Sequence, residues 1–266
     1  MPLILPFDLA ALNLEGLVVT YLLALTRVSA LLMATPVFRS TGVPSRIRLL
    51  LAVTVAALTV GTLPPGYEVP TFGFSLIPIA LWEMALGLAM GLCIQMVFAA
   101  LTIAGECVAV GMGLGFATIV DPQNGASVPT MSQQFVLLGT MLFVAINGHL
   151  VALNMVHDSF VMLPPGSQGN LSGGATPLLE WAMAMYANAL RLALPVIAAM
   201  LLTNLAFGVI TRAAPQLNVF AVGFPLMMLI GMAAVMINIG TLLDATASLF
   251  EQAFEAAGKL FSGAQG

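Results

Sequence analysis

The sequence predicts an all-α, polytopic membrane protein, and three observations carry that prediction. Hydrophobic residues make up 60% of the 266-residue chain and charged residues only 7%, with a mean hydropathy of +1.06. An ordinary soluble domain carries roughly 25% charged and about 45–50% apolar residues, and so much apolar surface could not be kept from water by a soluble fold of this size. The apolar residues gather into about six runs near or above the length of roughly 20 residues that a spanning helix needs, and a helix satisfies its own backbone in lipid. Turns rich in Pro and Gly separate the runs. A cytosolic enzyme, a nucleic-acid binder and a disordered linker are thereby excluded.

In chain order the first run is Leu14–Thr35, followed by the polar turn Pro36–Ser45, with Arg39, Arg46 and Arg48 in and just after it. The second, Ile47–Leu63, is about 17 residues, short for a span, and Pro64-Pro65-Gly66 closes it. The third, Phe72–Gly105, carries Pro78 near its start. A Gly-rich stretch, Gly111–Pro129, leads to the fourth, Met131–Leu163, which ends at Pro164-Pro165-Gly166. After the loop Ser167–Thr176, flexible by composition, come Leu178–Thr211, interrupted by Pro195, and Leu217–Phe250, with Pro225 near its start. The third, fourth and fifth runs are each about 33–35 residues, or roughly 50 Å of helix, against a bilayer core of about 30 Å. Tilt alone does not absorb that excess. Several helices are therefore expected to be tilted and broken, with Pro78, Pro195 and Pro225 as the break points, or to project into a protein assembly. The whole of 1–266 reads as one integral membrane domain, with 105–130 as a Gly-rich loop and 251–266 as a short polar tail.

Lys and Arg set the orientation. With six spans, Arg39, Arg46, Arg48 and Arg212 fall on one side, which is then cytoplasmic; both termini lie outside, and only Lys259 dissents. The N-terminal Met1–Asp8 lacks a positive n-region, so the first hydrophobic segment is expected to be retained. A net charge of −4 leaves no basic patch for nucleic acid. Cys93 and Cys107 are read as two buried thiols rather than a bridge.

Ionisable residues at membrane depth are functional candidates by default. Three qualify: Arg27, Glu83 and Arg191. Depths counted from the segment centres match Glu83 to Arg191 better than to Arg27, which favours a Glu83–Arg191 pair with Glu83–Arg27 as the alternative, the pair either fixing helix register or serving an ion relay. Ala80, Glu83, Gly87 and Gly91 share one helix face, and Gly87-x-x-x-Gly91 invites close approach of another backbone. Met228, Met232 and Met236 form a stripe read as ordinary core packing. His149 and His157 stand about 12 Å apart along a helix, too far to share a metal, and no phosphate loop or nucleophile elbow is present. Neither a cofactor nor catalysis is indicated.

The unusual stretch is Gly111, Met112, Gly113, Leu114, Gly115, Phe116 and Ala117. Alternating glycines make a poor helix, yet the stretch is apolar, and non-helical apolar backbone at a bilayer is tolerated inside protein or lining a cavity. A pliable hydrophobic plug and a plain buried connector both fit those residues.

Ile146-Asn-Gly-His-Leu150, Met162-Leu-Pro-Pro-Gly166 and the run Thr211–Pro225, with Arg212, Pro215, Gln216, Leu217 and Asn218 at its heart, resemble the FliR family, the flagellar branch of the export-gate subunits of type III secretion systems. The likeness spans nearly the whole chain, including Ala34-Thr-Pro-Val-Phe38 and Val43-Pro-Ser-Arg46, and Phe220–Pro225 favours the flagellar branch. The resemblance implies a non-catalytic subunit whose helices pack as tilted, broken hairpins. It implies assembly with FliP and FliQ into a helical pore complex, with FlhB at its cytoplasmic entrance. Unfolded flagellar proteins would pass through it, in the bacterial cytoplasmic membrane at the flagellar basal body. The family's plug loop corresponds to 106–121, with Gly111–Ala117 as the closed gate. The alternative reading is a secondary transporter or ion channel built on Glu83 and Arg191.

Overall fold

The computed structural model describes residues 14–40, 42–63, 73–114, 130–167, 171–213 and 223–264. Every regular element among them is a helix: α1 (Leu14–Ala34), α2 (Pro36–Arg39), α3 (Ser45–Val60), α4 (Leu76–Gly111), α5 (Thr130–Ala145), α6 (Gly148–Met162), α7 (Leu171–Ala213), α8 (Phe224–Ile237) and α9 (Ile239–Ala264). Leu, Ala and Met, all good helix formers, dominate these runs. Three helices are long and apolar enough to cross a membrane, Leu14–Ala34, Leu76–Gly111 and Ala175–Ala213, and the bent pairs α5–α6 and α8–α9 bring the number to five if each is one span. The second expected segment, now α3, has only 16 residues, short of a bilayer's thickness.

The breaks fall at asparagines, and this corrects the expectation that proline would place them. Pro225 occupies the first turn of α8 and Pro78 the first turn of α4, where a helix has no partner for the missing N–H anyway. Pro195 lies within the continuous α7; the one hydrogen bond it removes does not end a 43-residue helix. Instead α5 stops where Asn147 takes a left-handed conformation (φ 56°), which asparagine tolerates better than most side chains. At Asn238 the side-chain amide donates to the Ala234 carbonyl at 2.8 Å, alongside the backbone N–H at 3.2 Å, and α8 and α9 meet there at 59°.

Packing divides the described residues into two compact units. The first comprises the described residues of Met1–Leu92, Leu150–Leu178 and Ala257–Gly266. In it α1 packs on α3 and on the first half of α4. A Cβ on Gly87 would fall on the Arg27 carbonyl oxygen and 2.8 Å from Ala30 Cβ, and one on Gly91 would strike Ala34 Cβ and lie 3.0 Å from the Leu31 carbonyl oxygen. The glycine face of α4 therefore meets the backbone of α1 with no room for a side chain.

The second unit comprises the described residues of Cys93–His149 and Leu179–Ala256. Phe98, Phe143 and Phe250 form its aromatic centre, with ring centroids 5.1–6.1 Å apart, separations favourable for tilted and edge-to-face pairs. Ser132 Oγ donates to the Thr102 carbonyl at 3.1 Å and Trp181 Nε1 to the Cys93 carbonyl at 3.0 Å. Cys93 is buried and Cys107 half-buried, both free. Met228, Met232 and Met236 are exposed, so the expected core stripe faces outward. The expected polar tail is helical through Ala264: α9, whose residues from Ala257 on belong to the first unit, buries Leu249, Phe250, Ala253, Ala257, Leu260 and Phe261 and exposes Asp244, Glu251 and Lys259, the two-faced pattern of an amphipathic helix.

Gly87→Ala should destabilise the purified protein by about 1–3 kcal/mol or more, the range for overpacked contacts. Gly208→Ala, where a Cβ meets nothing within 4 Å, should be neutral or stabilising by up to about 1 kcal/mol through helix propensity. Thermal unfolding in detergent measures both, and equal effects would contradict the close approach.

Candidate functional site

The strongest polar feature is a charge sealed inside the first unit. Arg27, on α1, is fully buried, as is Glu83 on α4. Arg27 Nε donates to Glu83 Oε2 at 2.6 Å. Nη1 donates to the carbonyl and the hydroxyl oxygens of Ser159, each at 3.1 Å, and Nη2 to the Leu163 carbonyl at 3.0 Å. The guanidinium carbon lies 4.1 Å from the centroid of the Phe160 ring, in cation–π range. The second carboxylate oxygen of Glu83 accepts the Gly166 N–H at 3.1 Å.

The turn after α6 is shaped for this. Gly166 has φ 88°, a conformation open to glycine, and Pro164-Pro165 ends the helix so that the Leu163 carbonyl, left without an intrahelical donor, points to Arg27. Four guanidinium hydrogen bonds and a carboxylate acceptor make this a satisfied ion pair; without such bonds the burial of both charges would not be recovered.

The pairing corrects the expected Glu83–Arg191 contact. Depth counting started from segment bounds of 72–105, whereas α4 runs 76–111. Glu83 thus lies near the start of its helix, and Arg191 lies at the middle of α7. Arg191 is exposed and Nη1 donates to Asn188 Oδ1 at 3.3 Å.

The Gly-rich stretch is described only as far as Leu114; Gly115, Phe116 and Ala117 lie outside the described residues. Gly111 is the last residue of α4. Gly113 (φ 81°) donates its N–H to the Val110 carbonyl at 3.0 Å, and Leu114 donates to Ala109 at 3.0 Å; this paired glycine cap ends the helix. Met112 is 1% exposed. Its side chain occupies the notch left by Gly231 of α8, where an added Cβ would lie 2.5 Å from Cγ and 2.6 Å from Cε.

Of the sequence signature, Arg212 stands exposed in the last turn of α7, and Pro215, Gln216, Leu217 and Asn218 lie outside the described residues. Sequence reasoning missed Ser159, Phe160 and Gly231. A buried Arg predicts carbonyl and hydroxyl partners, but nothing in the spacing says which of many helices supplies them. Among the described residues no group of three or more His, Cys, Asp or Glu is placed to hold a metal; His157 Nδ1 lies 3.5 Å from Thr62 Oγ1.

Residues 18–253 match a family model described as bacterial export proteins, family 1. The chain is 37% identical over 219 residues to the flagellar biosynthetic protein FliR of Escherichia coli (strain K12), covering 81% of this chain and 84% of that one. It is 31% identical over 243 residues to the protein of the same name from Aquifex aeolicus (strain VF5), covering 91% and 93%. With that of Bacillus subtilis (strain 168) the identity is 32% over 211 residues, covering 77% and 80%.

Arg27→Met or Glu83→Gln alone should cost about 3–5 kcal/mol, because each leaves a buried charge without its partner. A double-mutant cycle should show strong coupling between positions 27 and 83 and none between 191 and 83. The charge swap Arg27→Glu with Glu83→Arg should fail to rescue, since the Ser159 and Leu163 carbonyls would then face a carboxylate. Unfolding of the purified variants in detergent reads all three.

Proposed function

This chain belongs to the bacterial export proteins, family 1, and on that premise we propose that it is a non-catalytic gate subunit of the flagellar protein export apparatus. It sits as a multi-pass protein in the bacterial cytoplasmic membrane at the flagellar basal body. It assembles with FliP and FliQ around a conduit for unfolded flagellar proteins, with FlhB at the cytoplasmic entrance.

The observation that carries the gate reading is the end of α4. An apolar helix halts at a glycine cap within a glycine-rich stretch, and its last buried residue, Met112, rests in a glycine notch on α8. Leu114 follows directly on that cap, so the apolar sequence that comes next starts from a fixed point. Apolar side chains exclude water from a closed pore, and an unbranched thioether reseats in a shallow notch without a directional bond to remake. The subunit role draws on a second feature: only 17% of the most apolar 18-residue window of α7 is buried, against 56% in α1 and α4. A helix so little covered by its own chain suits contact with lipid and neighbouring subunits. A transporter built on Glu83 is not favoured, since both its oxygens are engaged by Arg27 and Gly166.

Deletion of Gly111–Ala117 should make cells leak ions or small solutes while FliP and FliQ still copurify with the protein. Gly231→Leu, which fills the notch, should raise the leak in the same direction. An unchanged leak with the complex intact removes the gate assignment, and a variant chain that purifies alone removes the subunit assignment.

A further inference from the structure

Three of the chain's seven basic residues, Arg39, Arg46 and Arg48, fall within residues 39–48, where α3 begins. Its first turn holds no acidic residue, and none of the three pairs with a carboxylate among the described residues. Arg46 and Arg48, in the first turn of α3, face the positive pole of its backbone dipole. Their charge is thus unanswered within the described chain.

Arg48 is the most constrained. Its Nη2 donates to the Val43 carbonyl at 3.3 Å, while Nε is buried with no hydrogen-bond partner among the described residues. The residue borders a cavity of about 250 Å³ between α1 and α3, far larger than the roughly 30 Å³ share of a water molecule in the liquid. Ser29, Ser45 and Arg48 supply its polar lining, and Leu32, Met33 and Leu49 its apolar lining. Met33 and Leu49 are also among the exposed apolar residues, so that wall continues onto the outer surface. Arg48 has no carboxylate partner among the described residues, so it brings to the polar end of the cavity a charge that an anionic oxygen would answer.

We propose that this cavity holds the headgroup phosphate of an anionic phospholipid, with Arg48 and the hydroxyls of Ser29 and Ser45 on the phosphate and an acyl chain along Leu32, Met33 and Leu49. A free phosphate would satisfy the polar end and leave the apolar wall without a purpose. With three arginines in one short connection, the positive-inside rule puts this turn at the cytoplasmic leaflet, whose surface is negatively charged in membranes carrying anionic lipids. The site does not depend on the export reading.

Native mass spectrometry of the full-length protein in detergent, titrated with phosphatidylglycerol, phosphatidylcholine of the same chains, or inorganic phosphate, tests the assignment. Phosphatidylglycerol should bind at least about tenfold more tightly than phosphatidylcholine, the worth of one good charge-assisted hydrogen bond. Arg48→Gln should abolish that preference, Arg48→Lys should retain part of it, and Arg212→Gln should leave it intact. Equal retention of the two lipids by the unaltered protein overturns the proposal, whatever the stability of the variants. So does a preference that survives Arg48→Gln, or full displacement of the lipid by inorganic phosphate at matched concentration.

Discussion

A guanidinium withdrawn from water must have its charge and its N–H groups answered by protein, and the first unit is arranged around that requirement. Arg27 takes its partners from α4, from the last turn of α6 and from the turn that follows. A one-turn slide of any of these helices would move an acceptor by about 5.4 Å and strand a charge in an apolar interior. Gly87 belongs to the same device. It lies one turn after Glu83 on the same face and lets the α1 backbone come in at the carbonyl of Arg27 itself. A bulkier residue there would hold α1 away and lengthen the 2.6 Å contact on which the pair depends. Small-residue packing and the ion pair are two aspects of one register.

The hydrophobic surplus of the chain has a distribution as well as a size. α1 and the middle of α4 are half covered by their own chain, and α7 is largely bare, with Leu201, Leu202 and Leu205 among its exposed residues. In water such a surface would drive association; in a membrane it is an ordinary lipid or subunit contact. The C-terminal half of α9 reverses the pattern, with Glu255 and Lys259 outside and Ala257, Leu260 and Phe261 inside. A polar helix face is costly in hydrocarbon, so this half belongs in water or against polar protein.

Helix content and the candidate charges could be read from sequence because they follow from local composition: long Leu/Ala/Met runs admit no other backbone solution in lipid, and an Arg or Glu inside one is conspicuous. Break positions could not. Proline marks a possible weakness, but Pro195 is absorbed by the length of α7, while Asn147 and Asn238 act through a left-handed backbone and a side-chain amide that competes with the ladder. Asn-Gly at 147–148 was visible as a turn dipeptide inside a hydrophobic run, a signal that the run's apolarity obscured. Partner choice failed for a related reason. Depth along a helix is only as good as its bounds, and carrying α4 six residues past Gly105 moved Glu83 away from the middle of its helix. Gly231 was beyond reach altogether, since a lone glycine in an apolar helix says nothing about which side chain fills its notch.

The two devices differ in what it takes to open them. Parting Arg27 from its acceptors would strand a charge at about 3–5 kcal/mol, with the hydrogen bonds to Ser159 and Leu163 lost besides. Lifting Met112 from Gly231 forfeits at most the roughly 1.5–3 kcal/mol of one apolar side chain's burial, and less wherever it meets another apolar surface. Under the proposed gate role, opening to an extended polypeptide and resealing call for the second kind of contact. Polar locks would either hold it shut or, once broken, demand water inside the membrane. Charges therefore suit a unit whose register must not change, and a thioether seated on glycine suits the point where the glycine-rich stretch departs from α4.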